Sequence, residues 1–178
     1  MNVVATEIPG VLLLEPRVFT DDRGAFFESF NAAAFAAAVG RPVSFVQDNQ
    51  STSRRHVLRG LHYQEPKPQG KLIRTLVGAI FDVAADIRPG SPSFGRWVGI
   101  ELSAENRRQL WVPKGLAHGF LVLSESAEVL YKTTDFYAPG CEKIIRWDDP
   151  TLAITWPLSA PPLLSPRDAA GAVLGHPK

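Results

Sequence analysis

The chain has 178 residues, of which 45% are apolar and 21% charged, with a formal net charge of +1. That balance describes a globular protein long enough to bury one core, and it offers no global field to draw in nucleic acid or an anionic membrane surface. A single cysteine, Cys141, excludes an internal disulfide and any multi-cysteine metal site, and no apolar run approaches the ~20 residues that a membrane-spanning helix needs.

From the N-terminus, Met1 to Glu7 lacks the basic start and apolar core of a signal peptide, so a cytoplasmic location is expected. Short alternating runs then predict strands at Val11–Leu14 and Ala25–Phe30. Asn31 to Val39, rich in alanine, predicts the one clear helix, with Asn31 as its N-cap and Gly40 as its stop. Further strands are expected at Val43–Asn49, Val57–Tyr63, Lys71–Val77, Phe81–Ile87, Trp97–Leu102, Gln109–Val112, His118–Leu123 and Ala127–Thr133. The tail from about Pro157 is rich in Pro and Ala and should wrap the body, with at most a short helix around Asp168–Val173. Nine or ten strands are too many for one flat sheet, so the pattern predicts a single all-β domain over residues 1–178, a barrel or jelly roll.

Four histidines offer chemistry: His56, His62, His118 and His176. Strand parity puts His62 on the same side as Leu58 and Gly60, and His118 with Phe120 and Val122, so both point inward. An inward histidine is more often a satisfied core residue than a base. A metal is disfavoured because Gln64 stands two residues after His62, where a His-x-His pair would need its second ligand. Tyr131 shares a side with Val129 and Thr133, and its ordinary reading is core. His56 is read as a turn residue and His176 as solvated. Lys71 opens a strand, where solvent exposure is the ordinary reading, and Arg23, Glu28, Gln47, Asn49 and Arg59 are polar residues in otherwise strand-like segments. Together they are too many for a purely structural interior and suggest a polar ligand cavity.

The runs Val57-Leu58-Arg59-Gly60-Leu61-His62-Tyr63-Gln64, Gln47-Asp48-Asn49-x-Ser51, Gly115-x-Ala117-His118-Gly119-Phe120, Tyr131-Lys132-x-Thr134-x-x-Tyr137, Ile154-x-Trp156-Pro157 and Leu164-Ser165-x-Arg167-Asp168 resemble, in register, the dTDP-4-dehydrorhamnose 3,5-epimerase family. The resemblance covers nearly the whole chain. It implies a cupin-like jelly-roll barrel, a homodimer, no metal and no cofactor, acting on dTDP-4-keto-6-deoxy-D-glucose. Carried over by position, it implies His62 as base, Tyr131 as proton donor, Asp168 as the partner of the histidine and Lys71 as the cation beside the keto oxygen. It also implies substrate contacts at Arg23, Phe26, Glu28, Gln47, Asn49, Arg59, His118, Glu142 and Arg167, with Tyr137 stacked on thymine. Arg167 departs from the lysine common in the family, and guanidinium geometry differs from that of an ammonium.

The chemistry is consistent with these residue types. Protons on C3 and C5 flank a C4 ketone, so losing either gives an enolate, and a base titrating near neutrality suits the task. The same residues would serve an epimerase acting at C3 or C5 alone, whereas the Arg59-Gly60-Leu61-His62-Tyr63-Gln64 and Tyr131-Lys132 motifs argue against a sugar-nucleotide ketoisomerase. A non-catalytic nucleotide-sugar-binding barrel would have no need of His62, Tyr131 and Asp168.

Overall fold

The computed structural model describes residues 1–175, so His176 lies outside the described residues. Thirteen strands and two short helices are present among them. The first sheet has the order β1 (Asn2–Ala5), β2 (Leu12–Glu15), β10 (Gln109–Val112), β7 (Lys71–Val77), β12 (Ser126–Thr133), β5 (Gln47–Arg54). The second has the order β13 (Glu142–Ile144), β6 (Leu58–Gln64), β11 (Leu116–Val122), β8 (Ala79–Asp86), β9 (Trp97–Ser103). A separate two-stranded hairpin joins β3 (Val18–Asp21) and β4 (Gly24–Phe27). All pairings within the sheets are antiparallel. This is the expected all-β jelly roll, built as two packed sheets that do not close into one continuous barrel.

Three apolar layers hold the sheets. Ile73, Leu110 and Val129 from the first sheet meet Ile80, Ala84, Leu102 and Phe120 from the second, forming the core between them. The outer face of the second sheet buries Leu58, Leu61, Val83 and Leu121 under Leu152 and Trp156 of the C-terminal chain. The outer face of the first sheet buries Leu14, Leu72 and Trp111 under Phe35. Phe35 is the one buried residue of helix α1 (Ala32–Val39), whose caps are those expected: Asn31 Oδ1 accepts from Ala34 N at 3.0 Å, and Gly40 takes φ 78°.

Several expectations need correction. The strand foreseen from Val43 begins only at Gln47 and runs on to Arg54 through polar residues whose exposure alternates, one face resting on the sheet and the other in solvent. The strand foreseen at Ala25–Phe30 ends at Phe27. The C-terminal helix α2 is Pro166–Ala169, capped by Ser165, and so lies earlier than the short helix expected around Asp168–Val173. His56 is a turn residue with φ 66°, as read.

The parity at His62 also differs. Between β6 and β11, His118 pairs with His62 but Phe120 pairs with Arg59, so β6 carries one extra residue. The bulge turns Leu58 and Leu61 to the outer core while Arg59 and His62 both point between the sheets. Gly60 makes the bulge possible. It adopts φ 117°, and a Cβ there would lie 2.6 Å from Gly119 Cα and 2.7 Å from the His118 carbonyl oxygen.

Candidate active site

One end of the intersheet space opens into a cavity of about 260 Å³ lined by Gln47, Asn49, His62, Tyr63, Gln64, Gln69, Lys71, Tyr131, Tyr137 and Glu142. Register explains the convergence. Tyr131 faces Asn49 and Thr133 faces Gln47 across β12 and β5, while Lys71 lies opposite Thr133 across β7. With period two, these side chains share the inner face. Lys132 and Asp48 are consigned to the outer face, where they pair at 3.0 Å.

His62 Nε2 meets Asp168 Oδ1 at 2.6 Å. Asp168 is 4% exposed and sits in the single turn of α2, where Ser165 Oγ donates to its Oδ2 at 2.8 Å. Burial alone would raise the Asp168 carboxyl, but the hydrogen bonds from His62 and Ser165 outweigh it and hold the group below the usual carboxylate range. An ionised carboxylate only accepts, so Nε2 carries the proton and Nδ1 keeps a free lone pair. The imidazole is therefore oriented and tautomerically set, which is what a general base requires.

Lys71 Nζ lies 3.4 Å from the His62 carbonyl oxygen. Burial lowers its ammonium to about 8, against the opposing pull of Asp82 and Glu142. Burial also raises the Tyr131 phenol, partly offset by the positive charge of Arg59. Tyr131 is thus a protonated donor at neutral pH, and Arg59 is placed to favour the phenolate once the proton leaves. Arg59 reaches from β6 across to Ser53 Oγ at 3.0 Å, which uses Nε and leaves the terminal nitrogens available. At the mouth, Glu142 accepts from Tyr137 Oη at 3.1 Å and from Arg167. Burial is modest here, with Tyr137 45% exposed.

Not every residue named from sequence reaches this cavity. His118 stands beside His62 on the neighbouring strand, but its Nε2 is bound to Asp82 Oδ1 at 2.8 Å and both residues are buried. Arg23 lies on the β3–β4 hairpin, its guanidinium engaged by Asp21 at 2.6 Å. Phe26, on the same hairpin, is 72% exposed. Glu28 accepts from Asn31 and borders a separate cavity with Phe26, Phe30 and Phe35. Tyr63, Gln64 and Gln69 line the main cavity without having been singled out as site residues. Among the described residues, no cluster of three or more His, Cys, Asp or Glu side chains is arranged to hold a metal ion.

The sequence profile of dTDP-4-dehydrorhamnose 3,5-epimerase matches residues 5–175. A dTDP-4-dehydrorhamnose 3,5-epimerase of Pseudomonas aeruginosa is 63% identical over 171 residues, covering 96% of this chain and 94% of the relative. Among solved structures, the dTDP-6-deoxy-D-glucose-3,5-epimerase of Legionella pneumophila, in complex with dTDP-4-keto-L-rhamnose, superposes with a TM-score of 0.95 at 53% identity, covering 97% and 92% of the two chains. A 3'-monoepimerase from Streptomyces bikiniensis in complex with dTDP-quinovose has a TM-score of 0.90 at 38% identity, covering 95% and 86%. With a family profile spanning nearly its whole length and a fold and sequence this similar to its members, the chain belongs to the dTDP-4-dehydrorhamnose 3,5-epimerase family.

Proposed function

We propose that the protein is an isomerase that converts dTDP-4-keto-6-deoxy-D-glucose to dTDP-4-keto-L-rhamnose by inverting C3 and C5. The observation that carries this reading is the His62–Asp168 pair at 2.6 Å, opening on the same cavity as Tyr131 and Lys71. His62 Nδ1 takes the proton from the carbon next to the ketone and becomes an imidazolium, which Asp168 stabilises. The electron pair moves onto the C4 oxygen as an enolate, and the Lys71 ammonium in its desolvated setting stabilises that charge. Tyr131 then gives its proton to the opposite face of the same carbon, leaving a phenolate near Arg59. Exchange with solvent restores both groups before the second centre reacts. Arg59 and Arg167 serve the diphosphate, where a guanidinium fork suits phosphate oxygens, and Tyr137 stacks on the base. No cofactor or metal enters this scheme.

Inversion at both centres is favoured over inversion at one because the 63%-identical relative is a 3,5-epimerase, whereas the monoepimerase is 38% identical. Proton NMR of the keto sugar in deuterated water tests it. Deuterium at both C3 and C5 is expected, deuterium at one position reassigns the protein to a single-site epimerase, and none at either leaves a binding protein.

The reading extends to one domain acting as a cytoplasmic homodimer. Among the described residues the hairpin carrying Arg23 and Phe26 pairs only with itself, presents Phe19 and Phe26 to solvent, and so is suited to reach a second copy's cavity. Mixing Arg23→Ala with His62→Ala protein should then restore activity through one intact site per mixed dimer. A sedimenting monomer would refute the arrangement.

A further inference from the structure

The segment that carries Tyr137 has an unusual means of support. Residues 135–138 lie between β12 and the turn at Pro139–Cys141, outside any strand or helix. Backbone bonds secure only its ends, through Thr134 N to the Gly70 carbonyl and Cys141 N to the Ala138 carbonyl. Between them, side chains supply the partners: Thr133 Oγ1 donates to the Asp135 carbonyl at 2.8 Å, Phe136 N donates to Asp135 Oδ1 at 2.8 Å, and glutamines supply the rest. Gln69 Nε2 donates to the Asp135 carbonyl at 2.8 Å, and Gln64 Nε2 donates to the Phe136 carbonyl at 3.3 Å. Tyr137 N donates to Gln47 Oε1 at 3.0 Å, and Ala138 N donates to Gln64 Oε1 at 2.9 Å.

Gln64 is the centre of this arrangement. It is 5% exposed, and both ends of its amide are used, since Nε2 also donates to the Lys67 carbonyl at 2.9 Å. Only an uncharged amide offers two donors and an acceptor at one buried point. A glutamate would set oxygen against two carbonyls, and a histidine in this position could not serve all three partners. The three glutamines come from different segments: Gln47 from β5, Gln64 from β6 and Gln69 from the irregular stretch before β7. The loop is thus registered to both sheets at once. Its product is a fixed aromatic platform: Tyr137 is 45% exposed, its backbone is held by Gln47, and its hydroxyl is tied to Glu142.

We infer that Gln64 and Gln69 are positioning residues for the nucleobase, holding the 135–138 backbone so that Tyr137 is presented for stacking before the ligand arrives. This rests on the reading of Tyr137 as the base platform. Preorganisation of this kind lowers the ordering cost of binding, so its loss appears in affinity and not in the chemical step. It also gives Gln47 a second duty, because its Oε1 is occupied by Tyr137 N and its Nε2 donates to Asn49 Oδ1 at 2.8 Å.

The experiment measures dTDP binding by calorimetry, and kcat and KM with the keto sugar, for Gln64→Met, Tyr137→Ala and the double variant. Gln64→Met should weaken dTDP and raise KM by about tenfold, with kcat within about threefold of wild type. In the Tyr137→Ala background the same change should add little, because both substitutions remove one effect. Full additivity, or unchanged dTDP binding by Gln64→Met, would overturn the positioning role. If Tyr137→Ala alone leaves dTDP binding intact, the base-platform reading fails and takes this inference with it. Should Gln64→Met not fold, Gln69→Met asks the same question through one hydrogen bond, and the same cycle with Tyr137→Ala decides it.

Discussion

Replacing Lys71 with arginine should remove an alkaline decline in turnover that the wild-type side chain imposes. Burial brings the Lys71 ammonium down to about 8, so in the free protein it is about 90% protonated at pH 7 and about 10% at pH 9. If that charge stabilises the enolate oxygen, kcat/KM should fall roughly tenfold per pH unit above about 8. Tyr131 does not account for this limb, because burial moves its phenol upward from 10.0. An arginine stays charged throughout, so Lys71→Arg should be slower at neutral pH, because its geometry differs, yet flat where the wild type declines. Glu142 holds the Lys71 value up, so Glu142→Gln should move the limb to lower pH. The assay is solvent-deuterium exchange at C3 and C5 followed across the pH range. An unchanged limb in Lys71→Arg would refute the assignment.

Stability supplies an independent check. The unfolded chain keeps the Lys71 proton up to its ordinary 10.5, whereas the folded protein releases it near 8. Between those values the unfolded state binds more protons, so stability rises with pH; below them the buried charge costs on the order of 3 kcal/mol. Lys71→Met should therefore be more resistant to urea at neutral pH while losing turnover.

His62→Ala should abolish proton exchange while leaving dTDP binding within about threefold by calorimetry, since the imidazole serves chemistry more than affinity. Asp168→Asn should cut kcat by roughly a hundredfold or more, because an amide cannot offset the imidazolium charge. Since the Asp168 carboxyl is held low, its contribution to stability is present above its unfolded value and is lost as pH falls through the folded one; Asp168→Asn should accordingly flatten acid unfolding measured by circular dichroism. Gly60→Ala should destabilise by about 3 kcal/mol or more in urea titration, given φ 117° and a Cβ 2.6 Å from Gly119 Cα.

Features set by near neighbours along the chain were legible without coordinates. Helix α1 begins and ends where Asn31 and Gly40 place it, because capping is a contact among adjacent residues. The inward side of Tyr131 followed from simple alternation, since β12 faces β5 without interruption along its length. The strands that escaped notice, β1, β3 and β13, are short, four residues or fewer, and alternation over so few positions carries little signal. The family motifs brought residues of the site to attention, but not their arrangement.

What tertiary structure decided was everything that depends on register and on chain returning from far away. The extra residue in β6 reversed the parity expected between Leu58 and His62, because a bulge exists only relative to its partner strand, here β11. Asp168 meets His62 across 106 positions of sequence. The three glutamines converge on one loop from three segments, and no local pattern marks them, since each is an ordinary polar residue until the sheets stack. Sequence determines which side chains are available and which faces they occupy within an uninterrupted element. The packing of two sheets, with the bulge in β6 and a returning tail, determines which of them meet, because contacts form only after the loops between them have closed.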